Sequence, residues 1–352
     1  MTKVLVNLYT LKNINCGLGQ VALNMGKNLS GLPNASDFTF YVPPRYSGYF
    51  GNQVKYISSN IFNKHCSLFS KKYEVMHLIH QMSGRHAAKS EKLILTIHDL
   101  NFIFEKKNER KRNKYLRKVQ KNVDRADVIV YISGFAKKMS EKYLKIPSSK
   151  LQKVIYNGVE VDVDKAADRP DFLPEGEFIF TIGEIMAKKN FAVLIDFLKR
   201  LTRPYNLIIA GKSSTKYAGD LLVRLKEEGL ESRVILPGVI SEDDKIYLYR
   251  HCKAFVFPSL YEGFGLPVIE AMRFGKPVFI STSTSLPEIG GEFAFYWEHF
   301  EPQYMADVFE AKMKLYELNP DYPQKLRKYS NKFLWEENIN EYNKLYKDLT
   351  ER

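Results

Sequence analysis

The sequence predicts an α/β protein of two domains, and three observations carry that reading. Its 352 residues exceed the size at which a single hydrophobic core keeps growing. From residue 178 onward, short apolar runs of strand length alternate with helical segments, the pattern of βα units on a parallel sheet. The charge also divides the chain. Residues 1–165 hold 28 Lys and Arg against 12 Asp and Glu, a net of +16, whereas the remainder holds 25 against 28, a net of −3. The expected domains are therefore 1–165 and 176–332, followed by a C-terminal helix over 333–352. The linker is Glu160 to Gly176, marked by Pro170 and Pro174.

Within the first domain, Lys3–Leu8 reads as a strand, followed by Asn15-Cys-Gly17-Leu-Gly19-Gln20 and a helical pattern from Val21 to Leu29. A lone Gly-x-Gly is weak evidence for a ligand loop, and a plain turn accounts for it equally well. Further strands are expected at Phe38–Val42, Val54–Ile57, Glu74–Ile79, Lys92–Ile97 and Asp127–Ile132, with Lys153–Val159 closing the domain. Ser133 is a good N-cap for the helix after it. His98 and Asp99 end one strand, and ligand-contacting residues gather at strand ends in open α/β sheets. A lone histidine there is more often structural.

The second domain is expected to run Phe178–Gly183, Phe191–Leu201, Asn206–Gly211, Ala218–Glu228, Val234–Gly238, Asp243–His251, Ala254–Pro258, Pro267–Phe274 and Val278–Ser281. Gly183, Gly211 and Gly238 end strands and should gather at one sheet edge, with Val239 following Gly238. After Gly183 comes Glu-Ile-Met-Ala-Lys188-Lys189-Asn190, two lysines placed to neutralise a pyrophosphate.

One stretch organises the whole: Pro258-Ser-Leu-Tyr-Glu262-Gly263-Phe264-Gly265-Leu266-Pro267-Val-Ile-Glu270-Ala-Met-Arg-Phe-Gly275-Lys-Pro277. It reads as a strand, a glycine loop and a short helix, with Pro267 as first helical residue and Gly275 as the left-handed stop. A helix N-terminus offers unpaired N–H donors and about half a positive charge, which suits a phosphate. Glu262 falls in the loop and Glu270 in the first helical turn, so both carboxylates can border one pocket. Apart from the wider motif, a lone pair of this kind is more often a solvated loop residue and a helix-dipole partner.

The full run Pro-Ser-x-x-Glu-Gly-Phe-Gly-Leu-Pro-x-x-Glu-Ala-Met closely resembles the donor-site signature of retaining GT-B glycosyltransferases, a family that includes bacterial mannosyltransferases and lipopolysaccharide glycosyltransferases. The resemblance implies two Rossmann-like domains facing across a cleft, with the C-terminal helix crossing back to the first. It implies transfer of a hexose, best guessed as mannose from GDP-mannose, to a glycan or lipid-linked acceptor, a UDP-sugar being the alternative. It also assigns roles. Lys189, assisted by Lys188 and the helix beginning at Leu266–Pro267, would stabilise the departing diphosphate, with Asn190 beside them in the donor site. Glu270 would bind the donor ribose and Glu262 the sugar hydroxyls, while Gly17 and Gly19 would lie beside the transferred sugar. Thr-Ile-His98-Asp-Leu resembles the family's cleft motif, which places His98 near that sugar. One departure stands out: Glu184 occupies the position of an arginine that many members use, and Lys188-Lys189-Asn190 resembles the Arg-Lys-Asn of members lacking it. Ser285-Leu-Pro-Glu288, read as an N-capped turn, recurs in that subset.

Other classes are less well supported. Neither a metal nor another cofactor is expected, because the lone Asp162-x-Asp164 lies in the linker. Cys16, Cys66 and Cys252 are odd in number and far apart, which suits a reduced, cytoplasmic compartment. No run reaches the roughly 18 apolar residues of a membrane helix, and Met1 to Tyr9 resembles a first strand rather than a signal peptide. Glu105 to Lys121 carries nine Lys and Arg against two Glu. It reads as one helix with a basic face and an apolar stripe of Tyr115, Leu116 and Val119. A solvated face is the usual meaning of such a run. The density here favours an anionic membrane surface or acidic acceptor, met by Arg110, Lys111, Arg112 and Lys114. No nucleic-acid motif accompanies it, so nucleic acid is not an expected partner. A non-catalytic nucleotide-sugar-binding module is the other rival, and the intact Lys189, Glu262 and Glu270 argue against it.

Overall fold

The computed structural model describes residues 3–14, 16–59, 72–84, 89–105 and 108–350. Asn15, Cys66 and the Lys106–Lys107 pair therefore lie outside the described residues. The chain forms two compact units, Met1–Gly158 with Phe333–Arg352, and Val159–Lys332.

The first unit is built on a seven-stranded sheet of β1 (Val4–Asn7), β2 (Phe38–Val42), β3 (Lys55–Ser58), β4 (Lys72–Leu78), β5 (Lys89–Ile97), β6 (Val128–Tyr131) and β7 (Leu151–Val154). Their order is β3-β2-β1-β4-β5-β6-β7, and every pairing is parallel. The central strands are continuous apolar runs because a parallel sheet is covered on both faces. The Trp335–Thr350 helix belongs to this unit. Its Tyr342 and Tyr346 are buried, and their hydroxyls close a network around His77. Tyr346 Oη lies 2.6 Å from His77 Nδ1, Thr96 Oγ1 lies 2.7 Å from Nε2, and Tyr342 Oη lies 3.0 Å from Thr96 Oγ1. At the head of the helix Trp335 packs on Gly158, where a Cβ would come within 2.3 Å of the indole. A side chain at 158 would displace the helix.

The second unit has a six-stranded sheet of β8 (Phe178–Ile182), β9 (Asn206–Ala210), β10 (Val234–Gly238), β11 (Phe255–Phe257), β12 (Val278–Ser281) and β13 (Phe295–Trp297). The order is β10-β9-β8-β11-β12-β13, again all parallel. The chain leaves β8 toward β9 on one side and later returns to β11 on the other. The strand order thus reverses between β8 and β11, which creates a switch point at their carboxyl ends.

Several expectations need correction. The boundary falls at Gly158 rather than at 165, and the segment 159–175 belongs to the second unit. Arg250 Nη2 ties it there, donating to the carbonyls of Val163 (2.9 Å) and Lys165 (2.6 Å). The basic run is not one helix from Glu105. A short helix ends at Glu105, and a new one spans Glu109–Arg125, with the Asn108 side chain accepting the Lys111 N–H at 3.1 Å. Its apolar stripe faces inward, Val119 being fully buried and Tyr115 and Leu116 half-buried, so it serves packing rather than an external surface. Gly17 and Gly19 do not form a loop. They open the Gly17–Ser30 helix, and Gly19 is needed because a Cβ there would sit 2.0 Å from the Asn13 carbonyl oxygen. The sequence reading also missed β13 and the helices Pro302–Glu317 and Tyr322–Ser330. Ser133 does cap its helix, accepting the Ala136 N–H at 3.0 Å.

Candidate active site

The switch point is built from the turn after β8 and the glycine loop after β11. Leaving β8, the chain passes Gly183 and forms a single 3-10 turn over Ala187–Lys189, which Asn190 ends in the left-handed conformation at φ +56°. Asparagine tolerates that conformation better than most residues. The turn is fastened to the other loop through Lys188, whose carbonyl accepts the Leu260 N–H (2.8 Å) and lies 3.2 Å from the Ser259 hydroxyl oxygen. Lys189 then folds back over Gly183, where a Cβ would lie 3.2 Å from its Cε.

Lys189 and Glu262 meet. Lys189 Nζ donates to Glu262 Oε1 at 2.6 Å, and the two side chains are only 13% and 14% exposed. The Ser259 hydroxyl donates to the same carboxylate oxygen at 2.6 Å, and Lys189 Nζ stands 4.7 Å from the centre of the Phe257 ring. A half-buried ion pair of this kind survives only with supporting hydrogen bonds. Thr284 and Ser285 supply more of them. Thr284 Oγ1 accepts the Glu262 N–H at 2.9 Å, while the single Ser285 hydroxyl proton is shared between the carbonyls of Phe264 (2.8 Å) and Glu262 (3.1 Å). Ser285 therefore braces the glycine loop instead of capping its own helix, as the sequence led one to expect. Thr284 is a β-branched residue at φ +56°, a strained geometry that costs on the order of 1–3 kcal/mol and clusters at functional sites.

Gly263, Phe264 and Gly265 are buried, and Gly265 has φ +122°, a conformation open to glycine. The helix after it spans Leu266–Arg273, so Leu266 is its first residue and Pro267 its second. Glu270 consequently lies beyond the first turn, too far along to serve the helix dipole. It has its own partners: the Tyr249 hydroxyl at 2.9 Å and Lys245 Nζ at 3.4 Å. Burial alone would depress the Lys245 ammonium, but Glu270 and Glu242 outweigh it and hold its pKa above the ordinary lysine value.

Beside this turn the strand ends align. The Gly183 N–H donates to Ala210 O (2.9 Å) and the Gly211 N–H to Gly238 O (2.7 Å). Val239, just past Gly238, is 72% exposed, unusual for a valine.

His98 of the first unit and the Asp162 turn of the second stand in their own surroundings. His98 is 5% exposed, its Nε2 donates to Ile79 O at 2.7 Å, and burial pushes its pKa down to about 4. It is a neutral, anchored imidazole at neutral pH. Asp162 Oδ1 accepts the N–H groups of Asp164 and Lys165, both at 3.0 Å, so the Asp-x-Asp forms a local turn. Sequence reasoning missed Ser259, Thr284, Ser285, Tyr249 and Lys245. Of these, Ser259 was readable inside the motif itself, and Ser285 only as a cap.

Two family descriptions match adjoining parts of the chain: "Glycosyl transferases group 1" over residues 163–333 and "Glycosyltransferase Family 4" over residues 32–163. The serotype-specific mannosyltransferase WbdA of Escherichia coli is 36% identical over 199 residues, 53% of this chain and 24% of that protein. The O-antigen chain mannosyltransferase B of Escherichia coli is 29% identical over 225 residues, 57% of this chain and 56% of that protein. The chain thus spans from just under a quarter to just over half of the length of these relatives. Among solved structures, Anabaena HepE in complex with UDP-glucose superimposes with a TM-score of 0.78 at 16% identity, covering 99% of this chain and 100% of that one. Sucrose-phosphate synthase from Thermosynechococcus elongatus gives 0.74 at 15% identity, covering 99% of each. With two all-parallel Rossmann-like sheets, a glycine loop at the switch point of the second and adjoining family matches from residue 32 to residue 333, the chain belongs to the GT-B glycosyltransferases.

Proposed function

We propose that this glycosyltransferase moves mannose from GDP-mannose to a hydroxyl of a glycan or lipid-linked acceptor in cell-surface polysaccharide synthesis, retaining the α configuration. The observation that carries the reading is the Lys189–Glu262 pair at the reversal of strand order, braced by the Ser259 hydroxyl. The mannosyltransferase relatives support the choice of sugar. A UDP-sugar donor is the second reading, favoured by the fold match to a protein solved with UDP-glucose.

In this reading Lys189 keeps two N–H groups for the diphosphate, and the N–H groups at the start of the Leu266–Arg273 helix add roughly half a positive charge. Preorganised charge aimed at a leaving group is commonly the largest catalytic term. Glu262 has one oxygen committed to Lys189 and Ser259, and its other oxygen accepts from a sugar hydroxyl. Glu270, oriented by Tyr249 and Lys245, accepts from the ribose. The leaving phosphate oxygen itself takes the acceptor's proton. No divalent metal takes part, so turnover should be the same in excess EDTA as with added magnesium or manganese. The protein works on the cytoplasmic face of a membrane, its first unit held to anionic lipid by the Glu109–Arg125 helix.

The deciding experiment offers a panel of GDP- and UDP-sugars with glycan and lipid-linked acceptors, and reads product and anomeric configuration by NMR. Transfer of α-mannose from GDP-mannose alone is the expected result. Transfer from a UDP-sugar would move the assignment to the second reading. Donor binding without turnover on any acceptor or water would point to the non-catalytic binding module.

A further inference from the structure

The Leu266–Arg273 helix has two ends, and only one serves the glycine loop. At about 1.5 Å per residue the eight residues span roughly 12 Å. Because β12 starts just beyond it, at Val278, the far end lies at the amino edge of the sheet, opposite Lys189 and Glu262. A cavity of about 340 Å³ opens there, within the second unit. Its lining includes Arg250, Arg273, Phe274, Lys276 and Arg327, with Asp164 as the single acid.

Among the described residues none of the four cations forms an ion pair. Their hydrogen-bond partners are neutral. Arg250 Nη2 donates to two linker carbonyls, Arg273 Nη1 to Asn331 Oδ1 at 2.6 Å, and Arg327 Nη2 to Phe274 O at 3.4 Å. Arg273 Nε is buried and has no partner. Burial holds the Lys276 ammonium below its ordinary value; Cys252 opposes this, while the charges of Lys253 and Arg327 reinforce it.

The plain alternative is that these cations cap helix C-termini. Arg250 lies in the last turn of the Glu242–His251 helix, Arg273 ends the Leu266–Arg273 helix, and Arg327 lies in the last turn of Tyr322–Ser330. Each terminus carries about half a negative charge, so three supply about −1.5 in all. Asp164 adds one more, and it is exposed and screened by solvent. Arg327 is exposed as well, so it and Asp164 roughly cancel, and the three partly buried cations Arg250, Arg273 and Lys276 are left with an excess of about one and a half. Burying that excess is unfavourable, and it equals the −1.5 to −2 of a phosphate group near neutral pH. Guanidinium forks suit phosphate oxygens, and the volume is at the lower end of pockets that hold small organic ligands.

We propose that this cavity is a second anion site, one that binds a small phosphate monoester separately from the nucleotide-sugar donor. Arg273 and Lys276 grip the phosphate and Arg327 closes one side, while the apolar Phe274 ring faces the organic group. Arg273 is three residues from Glu270 on a single short helix.

The test is calorimetric titration of sn-glycerol 3-phosphate into the full chain saturated with GDP, which blocks the donor side. Wild type should bind one equivalent with a dissociation constant below about 1 mM. The Lys276→Gln, Arg327→Gln double variant should bind at least tenfold more weakly, with GDP affinity within twofold of wild type. Lys276→Gln alone, which leaves the Arg327–Phe274 contact in place, should weaken binding severalfold if the double variant does not fold. Absence of binding with GDP present, or equal affinity in wild type and both variants, overturns the proposal. If GDP itself does not bind, the donor assignment fails instead, and the same wild-type and variant titrations run without GDP still decide the cavity.

Discussion

The two units share one sheet design but hold their polar groups in opposite ways. In the first, the excess positive charge lies on the outside, and the interior polar groups are neutral: His77 and His98 are buried and their pKa values are pushed down to about 3 and about 4. At the carboxyl edge of the second sheet, charges are drawn inward and paired, Lys189 with Glu262 and Lys245 with Glu270. A buried neutral imidazole contributes packing and hydrogen bonds. A buried, hydrogen-bonded ion pair contributes little to stability but fixes a geometry. The contrast separates what holds one unit together from what the other holds in place.

The largest expected effect breaks this comparison by pH. A histidine whose folded pKa lies below its unfolded value of about 6.5 binds protons more readily when unfolded. Its contribution is thus complete above pH 6.5 and is lost as pH falls toward the folded value. Across the window from 6.5 to 4.5, each of His77 and His98 costs about 1.4 kcal/mol per pH unit, together on the order of 5 kcal/mol. Burial is the first cause for both, and for His77 the His98 charge adds to it. Hydrogen exchange at pH 4.5 should expose amides of β4, β5 and the Trp335–Thr350 helix before those of β8 and β11. Simultaneous loss of protection in both units would remove the distinction.

Next in size is the ion pair itself. Lys189→Ala and Glu262→Ala should each lower kcat/KM by roughly 10²-fold or more, about 3 kcal/mol, the scale of losing one preorganised charge partner. The structure adds that the two losses should not sum. Each leaves the other charge without its 2.6 Å partner, so the double variant should fall close to either single one. Steady-state kinetics of all three decide it, and near-wild-type turnover in either single variant would remove the pair from the mechanism.

Ser285→Ala should cost about 1–3 kcal/mol of stability, because it leaves the carbonyls of Glu262 and Phe264 without their donor. The measurement is the denaturant midpoint. A change below about 0.3 kcal/mol would mean that the glycine loop keeps its shape without the brace.

How much of this was legible differs element by element. The loop Pro258–Gly265 was readable because its glycines, its proline and both glutamates lie within a dozen residues or so, and local rules of helix start and stop apply to them. The partners of Glu270 were not. Tyr249 stands 21 residues earlier and Lys245 25 residues earlier, on a different helix, and only folding brings them to the carboxylate. The Lys189–Glu262 contact spans 73 residues and is of the same kind. Gly17 and Gly19 misled because glycine is a poor helix former, and here the tight approach of the Asn13 carbonyl outweighs that preference. The strand β13 is three residues long, too short for alternation to register.

The smallest effect concerns the outer charge of the first unit, and here the structure redraws the expectation. Arg110, Lys111 and Lys114 are exposed, but Arg112 is half-buried and leans toward Glu109 at 4.0 Å. At 100° per residue, Arg110, Lys111, Lys114, Arg117, Lys118, Lys121 and Arg125 fall within about 120° of one another, whereas Arg112 lies on the side of Val119 and Val123. One stripe of seven exposed cations thus runs the length of the Glu109–Arg125 helix. Each cation near an anionic surface is worth about 1 kcal/mol, and the attraction decays within a Debye length. Arg117→Gln or Lys121→Gln should therefore weaken binding to anionic vesicles about fivefold at low salt, with turnover on a soluble acceptor unchanged. Arg112→Gln should leave vesicle binding as it is. Sedimentation with vesicles of graded anionic lipid content measures all three. If the Arg112 variant loses as much as the other two, net charge rather than the stripe governs the contact. If wild type stays in the supernatant at low salt, these cations face only water, and the first unit's charge is the plain counterpart of the second unit's paired interior.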